Sequence, residues 1–168
     1  YNSMNVTPAA SKAIKFNSNN NGLETGDIGG NLVLISTQTV TNSGNITFDS
    51  GIDSTYKEYI FKLIDIHPVD DHNEADNSAG VAYNTGFDVA QGTSGQELFE
   101  DQGNDNDQCG CGVLHIFDPT NTTSVKHFFA RTRNMTHSDS TADGFVSGYI
   151  NTTTALDKIT FFFSSGNQ

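Results

Sequence analysis

The acidic loop at residues 101–108 is the first segment whose side chains could bind a metal ion. Its sequence is DQGNDNDQ, and the candidate calcium ligands are Asp101, Asn104, Asp105 and Asp107. Calcium prefers carboxylate and amide oxygens and accepts them in a flexible geometry. The order differs from an EF-hand loop, because the glycine is displaced and no bidentate Glu follows at the required distance. The alternative interpretation is a turn whose Asn and Asp side chains hydrogen-bond to their own backbone.

A second cluster of ionisable side chains lies at residues 67–77, in the sequence HPVDDHNEADN. Its members are His67, Asp70, Asp71, His72, Glu74 and Asp76. Imidazole and carboxylate groups at this density can ligate a divalent cation, although no established ligand spacing is present. Polar residues are also expected in a turn. We therefore interpret the cluster as a solvated acidic loop, with a weak cation site as the alternative.

Two histidines, His115 and His127, flank the turn DPTN on a predicted hairpin and alternate there with apolar neighbours. Whether their side chains meet depends on the register of the hairpin, which the sequence does not fix. We interpret them as histidines of the core or of an interface. The alternative is a metal-binding pair.

The two cysteines, Cys109 and Cys111, are separated by a single residue. A disulfide between them would close a very small and strained ring, so a structural disulfide framework is excluded. We interpret them as free thiols beside a turn, and the alternative is half of a metal site or a redox pair.

Sequence signals for catalysis are weak. The sequence GTSGQ at 92–96 is not a G-x-S-x-G nucleophile elbow, because its final glycine is displaced. Among the 20 acidic residues, nothing singles out a catalytic pair. We therefore expect a protein without enzymatic activity and without a cofactor, apart from the candidate calcium ion.

The charge balance restricts the classes of partner. The chain has 168 residues, with 8 Lys and Arg against 20 Asp and Glu, for a formal net charge of -12. It lacks the clustered basic residues that contact nucleic-acid phosphates or anionic lipid headgroups. No apolar run approaches the roughly 18 residues that cross a bilayer. The composition predicts a single domain that binds neither nucleic acid nor membranes and is typical of a secreted or assembled β protein.

Short segments with a two-residue apolar period recur along the chain and predict β-strands. These segments are 12–16, 31–40, 45–50, 56–66, 80–90, 112–118, 124–131, 144–150 and 158–165. Short strands joined by polar turns predict an all-β fold, an antiparallel β-sandwich of jelly-roll type. We expect an extended polar, glycine-rich arm at 1–30 that orders only on assembly, and the β-sandwich domain at 31–168.

Three of the predicted strands are apolar on both faces, which indicates central positions in a sheet. They are 56–66, the segment 32–35 within 31–40, and the segment 159–163 within 158–165. In 56–66 the alternation predicts one face with Tyr59, Phe61 and Leu63 and a second face with Ile60, Ile64 and Ile66. Burying one Phe or Ile contributes about 1.5–3 kcal/mol, so we expect these strands to dominate stability.

Five stretches together resemble one group of proteins. They are IDSTYKEYIFKLIDIHP, HNEAD, QGNDNDQ, FDPTNTTSVKHFFA and GYINTTTALDKITFFFSSGN. In this order they are similar to structural proteins encoded by marine bacteriophages, especially cyanophages and phages of other abundant ocean bacteria. The similarity covers nearly all of the chain after the arm.

The chain departs from this group in three places. Group members have a further stretch of strands between the His-Pro and HNEAD elements, continue past SSGN with another strand, and carry small polar residues at the positions of Cys109 and Cys111. We therefore expect that segments of the polypeptide are missing from this sequence between Asp71 and His72 and after Gln168.

The resemblance implies a virion component of the tail-fibre or structural type, without catalytic residues. We accordingly expect a non-enzymatic, surface-exposed, self-associating β-sandwich in a tail fibre or as a capsid decoration, located in the extracellular virion. Its partners would be copies of itself and other virion proteins. The alternative is a carbohydrate-binding module for host attachment that recognises surface glycans, assisted by calcium at residues 101–108. A polysaccharide-degrading enzyme is the third hypothesis.

Overall fold

The computed structural model describes residues 12–19, 21–27, 32–68, 89 and 92–163. They contain eight strands, all paired in antiparallel fashion. The strands are β1 (Lys12–Phe16), β2 (Leu23–Asp27), β3 (Asn45–Phe48), β4 (Glu58–Ile66), β5 (Gly110–Phe117), β6 (Lys126–Met135), β7 (Thr141–Ile150) and β8 (Ile159–Phe162). The predicted all-β, antiparallel class is confirmed. The described part of the chain contains no helix capable of spanning a membrane.

The chain divides into two compact units, Tyr1–Thr37 and Gln38–Gln168. In the first unit, β1 and β2 form a hairpin in which Phe16 lies opposite Leu23. The turn is closed by the backbone N–H of Asn17, which donates to the carbonyl oxygen of Gly22 over 3.0 Å. The predicted strand at 12–16 is confirmed, and the arm predicted at 1–30 contains a β-hairpin.

The strand predicted at 31–40 is wrong for the residues that the structure describes there. Residues 32–40 form no strand, and residues 32–39 are all exposed. A strand is stabilised by backbone hydrogen bonds to a neighbouring strand and by side-chain contacts across the pair. Among the described residues, no strand pairs with this segment. A high intrinsic preference for extended backbone is therefore not enough to make a strand here.

The remaining predicted strands agree with the structure where it can be compared. The segments 45–50, 56–66, 112–118, 124–131, 144–150 and 158–165 correspond to β3–β8. The predicted strand at 80–90 lies outside the described residues except for Val89, which is not in a strand.

The second unit contains a four-stranded sheet in the order β4-β5-β6-β7. One row of side chains, formed by Phe61, Leu114, Ala130 and Val146, crosses all four strands. Alternate residues of a strand point to opposite faces of the sheet. The register therefore shows which other side chains lie on the same face as this row. We call that side of the sheet the inner face.

The inner face carries the hydrophobic core. The buried apolar side chains that form its core cluster are those of Leu114, Ile116 and Ala130. Strands β3 and β8 form a two-stranded sheet whose side chains pack on this core. The ring of Phe61 meets the rings of Phe48 and Phe161 with centroids 5.4 and 5.5 Å apart. The core therefore lies between the two sheets, and one face of the larger sheet is left for other contacts.

A β-bulge near the end of β4 changes which face one isoleucine occupies. Leu63 lies opposite Gly112 and Ile66 lies opposite Gly110, so one extra residue is inserted in β4 between them. Asp65 takes the left-handed backbone conformation, with φ of 55°. The prediction that Ile66 shares a face with Ile64 is wrong, because the extra residue reverses the alternation. Ile66 instead lines an inner cavity of about 330 Å³ together with Leu63.

Candidate functional site

The side of the four-stranded sheet opposite the core is the candidate functional surface, and we call it the outer face. The register assigns it side chains from all four strands. They are Glu58, Ile60 and Lys62 of β4, Cys111, Val113, His115 and Phe117 of β5, His127, Phe129, Arg131 and Arg133 of β6, and Asp143, Phe145, Ser147 and Tyr149 of β7.

Aromatic rings form a continuous cluster across the outer face. The rings of His115 and Phe129 stack with centroids 4.4 Å apart and planes 15° from parallel. Phe145 lies 6.3 Å from Phe129 at 22°, and Phe117 lies 6.4 Å from His115 at 20°. Phe117 also lies 5.9 Å from Phe129 but is tilted by 34°, so three neighbouring pairs are stacked and one is inclined. Aromatic and cross-strand contacts of this kind stabilise a sheet and also fix the ring orientations.

The cluster is open to solvent at its margins. Phe145 is 67% exposed, Tyr149 is 56% exposed and Phe117 is 36% exposed. An antiparallel sheet with one buried face normally carries polar residues on the other. Isolated exposed apolar residues are ordinary, whereas a contiguous apolar patch with a polar rim is typical of an interaction site. The outer face has the second arrangement.

Charged side chains surround the aromatic cluster and pair with one another. Arg131 donates two hydrogen bonds to Asp143, of 3.0 and 2.6 Å. The hydrogen bond from Arg131 and the nearby charges of Arg131 and Arg133 lower the pKa of Asp143, and the same contact raises the pKa of Arg131. At the other end of the face, Glu58 Oε1 lies 2.7 Å from Nδ1 of His115. Fixed charges at both ends therefore border the rings.

The predicted calcium ligands lie in a loop that is held by its own hydrogen bonds. The backbone N–H of Gln108 donates to the carbonyl oxygen of Asp105 over 2.8 Å, and Gln108 Oε1 accepts from the N–H of Asp105 over 3.1 Å. Gln108 is buried, and its amide donates to Asp139. These contacts are those of a turn that is closed by hydrogen bonds within the loop, as the alternative interpretation expects.

The side chains of the four candidate ligands differ in exposure. Asp105 and Asp107 are exposed, Asn104 is partly buried, and Asp101 is partly buried where its carbonyl oxygen accepts from the N–H of His137. Among the residues that the structure describes, no three His, Cys, Asp or Glu side chains are grouped closely enough to hold a metal ion. Calcium binding by these residues stays a prediction.

Only the beginning of the acidic segment 67–77 is described. Nε2 of His67 lies 2.9 Å from the carbonyl oxygen of Asp105, which links the end of β4 to the loop 101–108. Pro68 is fully buried next to it. The other members of this candidate cation site, Asp70 through Asp76, lie outside the described residues.

The hairpin register separates the two histidines. His115 lies opposite Phe129, whereas His127 lies opposite Tyr149 at a ring distance of 6.2 Å. Both are on the outer face, with aromatic neighbours, so the structure does not place them as a direct pair. Their surroundings fit histidines of an interface.

Both cysteines are exposed free thiols in the structure. Cys111 lies on the outer face opposite Arg133. Cys109 precedes β5, and its carbonyl oxygen accepts from the N–H of Met135 over 3.2 Å. The interpretation as free thiols beside a turn and the alternative of half of a metal site or a redox pair both stay predictions.

Sequence reasoning missed the residues that make the outer face distinctive. The sequence predicts only that Phe129 lies in the strand 124–131 and that Phe145 and Tyr149 lie in the strand 144–150. The signal was present as spacing, because Phe145 and Tyr149 are four residues apart and must share one face of a strand. The spacing alone does not show whether that face is buried or exposed. The pairing of β6 with β7 shows that it points away from the core.

No family model, curated protein or solved structure was found to match this chain. The function is therefore argued from the chemistry of the outer face.

Proposed function

We propose that this protein is a non-enzymatic structural component of a bacteriophage particle whose subunits associate through the outer face. The observation that carries the proposal is the contiguous aromatic cluster of His115, Phe117, Phe129 and Phe145, with Tyr149 beside it, on a sheet whose other face already holds the core. The assignment to a phage particle rests on the resemblance described above. A tail fibre or a capsid decoration would use the surface in the same way.

Burial of this cluster would supply a useful association energy. Each aromatic side chain moved fully from water into an apolar contact contributes about 1.5–3 kcal/mol. Several such side chains together are comparable with the cost of roughly 4–15 kcal/mol for lost translational and rotational freedom. Phe145 and Tyr149 are the main anchors, since they retain the most exposed area of the group.

The charge distribution also favours contact between copies at this face. Two copies that each carry a net charge of -12 repel one another. The outer face departs from this overall balance, because it has three basic side chains, Lys62, Arg131 and Arg133, against the acidic Glu58 and Asp143. Copies that meet there avoid most of the like-charge repulsion.

The ring orientations favour protein packing over a sugar platform. His115, Phe129 and Phe145 stack on one another, so their flat faces are engaged within the cluster. A sugar binds best on a ring whose face is free. The outward ring edges suit the packing of side chains from a second apolar surface.

Glycan binding is the second candidate function, and one observation favours it. Tyr149 is 56% exposed and inclined by 59° to His127, so it is not stacked within the cluster. With Arg131 and Asp143 as hydrogen-bonding groups on the same face, Tyr149 could contact a host-surface sugar. Titration of the protein with host-surface glycans would detect this function, and a Tyr149→Ala variant should abolish the response.

We further propose that the two layers belong to a β-sandwich of jelly-roll type. The support is the pairing of β3 with β8, which joins distant parts of the chain, and the packing of this pair on the core of the larger sheet. Facing sheets with side chains interdigitated between them are the defining feature of a sandwich. Contacts between backbone amides, measured by NMR over the whole chain, test the strand order.

The association surface is tested by removing its two most exposed rings. The double variant Phe145→Ser/Tyr149→Ser should be monomeric under conditions in which the parent chain is an oligomer, as measured by light scattering coupled to size-exclusion chromatography. Ile14→Ser is the matched control, because Ile14 is 64% exposed but belongs to the β1–β2 hairpin. Oligomers that persist in the double variant would show that the outer face is not the association surface.

A further inference from the structure

The segment 32–40 has the sequence of a strand but lacks the hydrogen bonds of one. It reads LVLISTQTV, and Leu34 is 82% exposed. No described strand pairs with it, and the side chain of Gln38 donates to the carbonyl oxygen of Thr47 over 2.7 Å. Exposed extended backbone with apolar side chains is the usual donor in β-strand addition.

The segment is apolar on both sides, which restricts the place where it can be buried. Leu32 and Leu34 would point to one face of a strand, and Val33 and Ile35 to the other. An acceptor edge must therefore offer apolar side chains above and below the sheet. A typical antiparallel edge offers them on one face only.

Strand β7 meets this requirement. Its outer-face side chains include Phe145 and Tyr149, and its inner-face side chains include Val146 and Ile150. Its ten residues pair with β6 in unbroken register, and in the described four-stranded sheet its other edge has no neighbour. Natural edge strands are commonly protected by proline, lysine or a bulge, and β7 has none of these. The opposite edge, β4, is interrupted by the bulge at Asp65.

We propose that residues 32–40 of one copy add to β7 of a second copy as a fifth strand of its sheet. The nine residues of the segment match the ten of β7, a span of about 30 Å. The segment is uncharged, and the one charged side chain of β7, Asp143, is already paired with Arg131. Contact between two acidic copies therefore adds no new unpaired charge at this junction.

This strand addition deepens the proposed self-association and rests on it. Strand addition engages the backbone at the edge of β7, whereas packing of two outer faces engages the outer-face side chains of the same strand. Because the donor segment and the acceptor edge are different surfaces, repeated addition produces a ring or a filament, and reciprocal exchange produces a dimer. Each of these assemblies suits a repeated particle component.

Hydrogen–deuterium exchange at low and high protein concentration, combined with light scattering, tests the proposal. We expect the amides of 32–40 and those along the free edge of β7 to become protected together, as the oligomer forms. Leu34→Lys should weaken association by about tenfold or more and remove both protections, since the substitution places a charge in an apolar contact. Ile14→Lys is the matched control and should leave both unchanged.

The possible outcomes separate the two proposals. An oligomer in which 32–40 stays unprotected overturns strand addition but leaves association through the outer face intact. Protection of 32–40 in a monomer, independent of concentration, also overturns strand addition, because the segment then pairs within its own chain. A monomer without protection at every concentration overturns both.

Discussion

The imidazole ring of His115 stacks on the phenyl ring of Phe129 across β5 and β6, with centroids 4.4 Å apart. Glu58 Oε1 lies 2.7 Å from Nδ1 of the same imidazole. One side chain of the outer face thus contacts both a carboxylate and the aromatic cluster. This contact shows how the face combines apolar area with fixed polar groups, a combination that protein–protein interfaces also have.

Removal of the central ring should weaken association more than folding. In Phe129→Ala the rings of His115 and Phe145 lose their shared neighbour, so the aromatic cluster is interrupted. We expect the dissociation constant of the oligomer to rise by about tenfold or more, which is the scale of an interface aromatic residue. Sedimentation equilibrium measures this change.

His127→Ala is the matched control for that variant. It removes a ring from the same strand and face, but this ring contacts Tyr149 at the margin of the surface rather than the centre of the cluster. We expect a smaller rise of the dissociation constant. Equal effects of the two substitutions would contradict a central role for the ring of Phe129.

A buried lysine should stabilise the chain segment that follows β7. Lys126 is fully buried, and its ammonium group donates to the carbonyl oxygens of Thr152 and Thr154 over 2.9 and 2.6 Å. Lys126→Met keeps the apolar stem but leaves both carbonyl oxygens without this donor. We expect a loss of about 1–3 kcal/mol in the free energy of unfolding, measured by urea denaturation.

Lys158→Met provides the comparison, because Lys158 is exposed in the same part of the chain. Surface substitutions usually change the free energy of unfolding by less than about 0.5 kcal/mol. A loss no larger in Lys126→Met than in Lys158→Met would show that the two carbonyl contacts contribute little.

Acid should destabilise the fold in part through Asp118. Hydrogen bonds from Lys57 and Asn121 lower the pKa of Asp118. Since the folded-state value is below the unfolded value of about 3.9, the carboxylate stabilises the fold above that pH. The contribution is lost as the pH falls through the folded-state pKa.

The substitution Asp118→Asn hardly changes the size of the side chain but removes its charge. It should therefore make the free energy of unfolding less dependent on pH in the acid range. Denaturation at a series of pH values measures the profile, with Asp157→Asn as an exposed comparison. If Asp118→Asn leaves the acid slope at its parent value, the hydrogen bonds from Lys57 and Asn121 have no role in acid stability.

Calcium should have no effect on the association that we propose, because the outer face does not include the loop 101–108. We expect EDTA to leave the oligomer intact. A calcium-dependent rise in the melting temperature that disappears in Asp105→Asn/Asp107→Asn would establish the predicted calcium site. Asp139→Asn should then retain the rise, since Asp139 is not one of the four candidate ligands.

The sequence predicted most strands because their cause is local. A two-residue apolar period bounded by Gly, Asn and Asp was enough to locate β4 to β8 within a few residues. The same reasoning failed at 32–40, where the side chains favour a strand but no partner strand is present in the described chain. The presence of a partner is a property of the whole fold, or of an assembly.

The candidate surface depended on information that no local pattern contains. The alternation of faces in β4 breaks at Asp65, where a residue with left-handed backbone conformation forms a bulge. Several residue types tolerate this conformation, so the aspartate does not by itself predict a bulge. The contact of His115 with Phe129 depends on a hairpin register that the sequence left open. The sequence therefore shows which side chains each strand carries, whereas it does not show which of them meet on the outer face.

The most direct test of the account is native mass spectrometry of the parent chain, with and without EDTA. We predict a homo-oligomer whose stoichiometry does not change when EDTA is added. A protein that remains a monomer at every concentration would contradict self-association through the outer face and would favour glycan binding as the function of this surface.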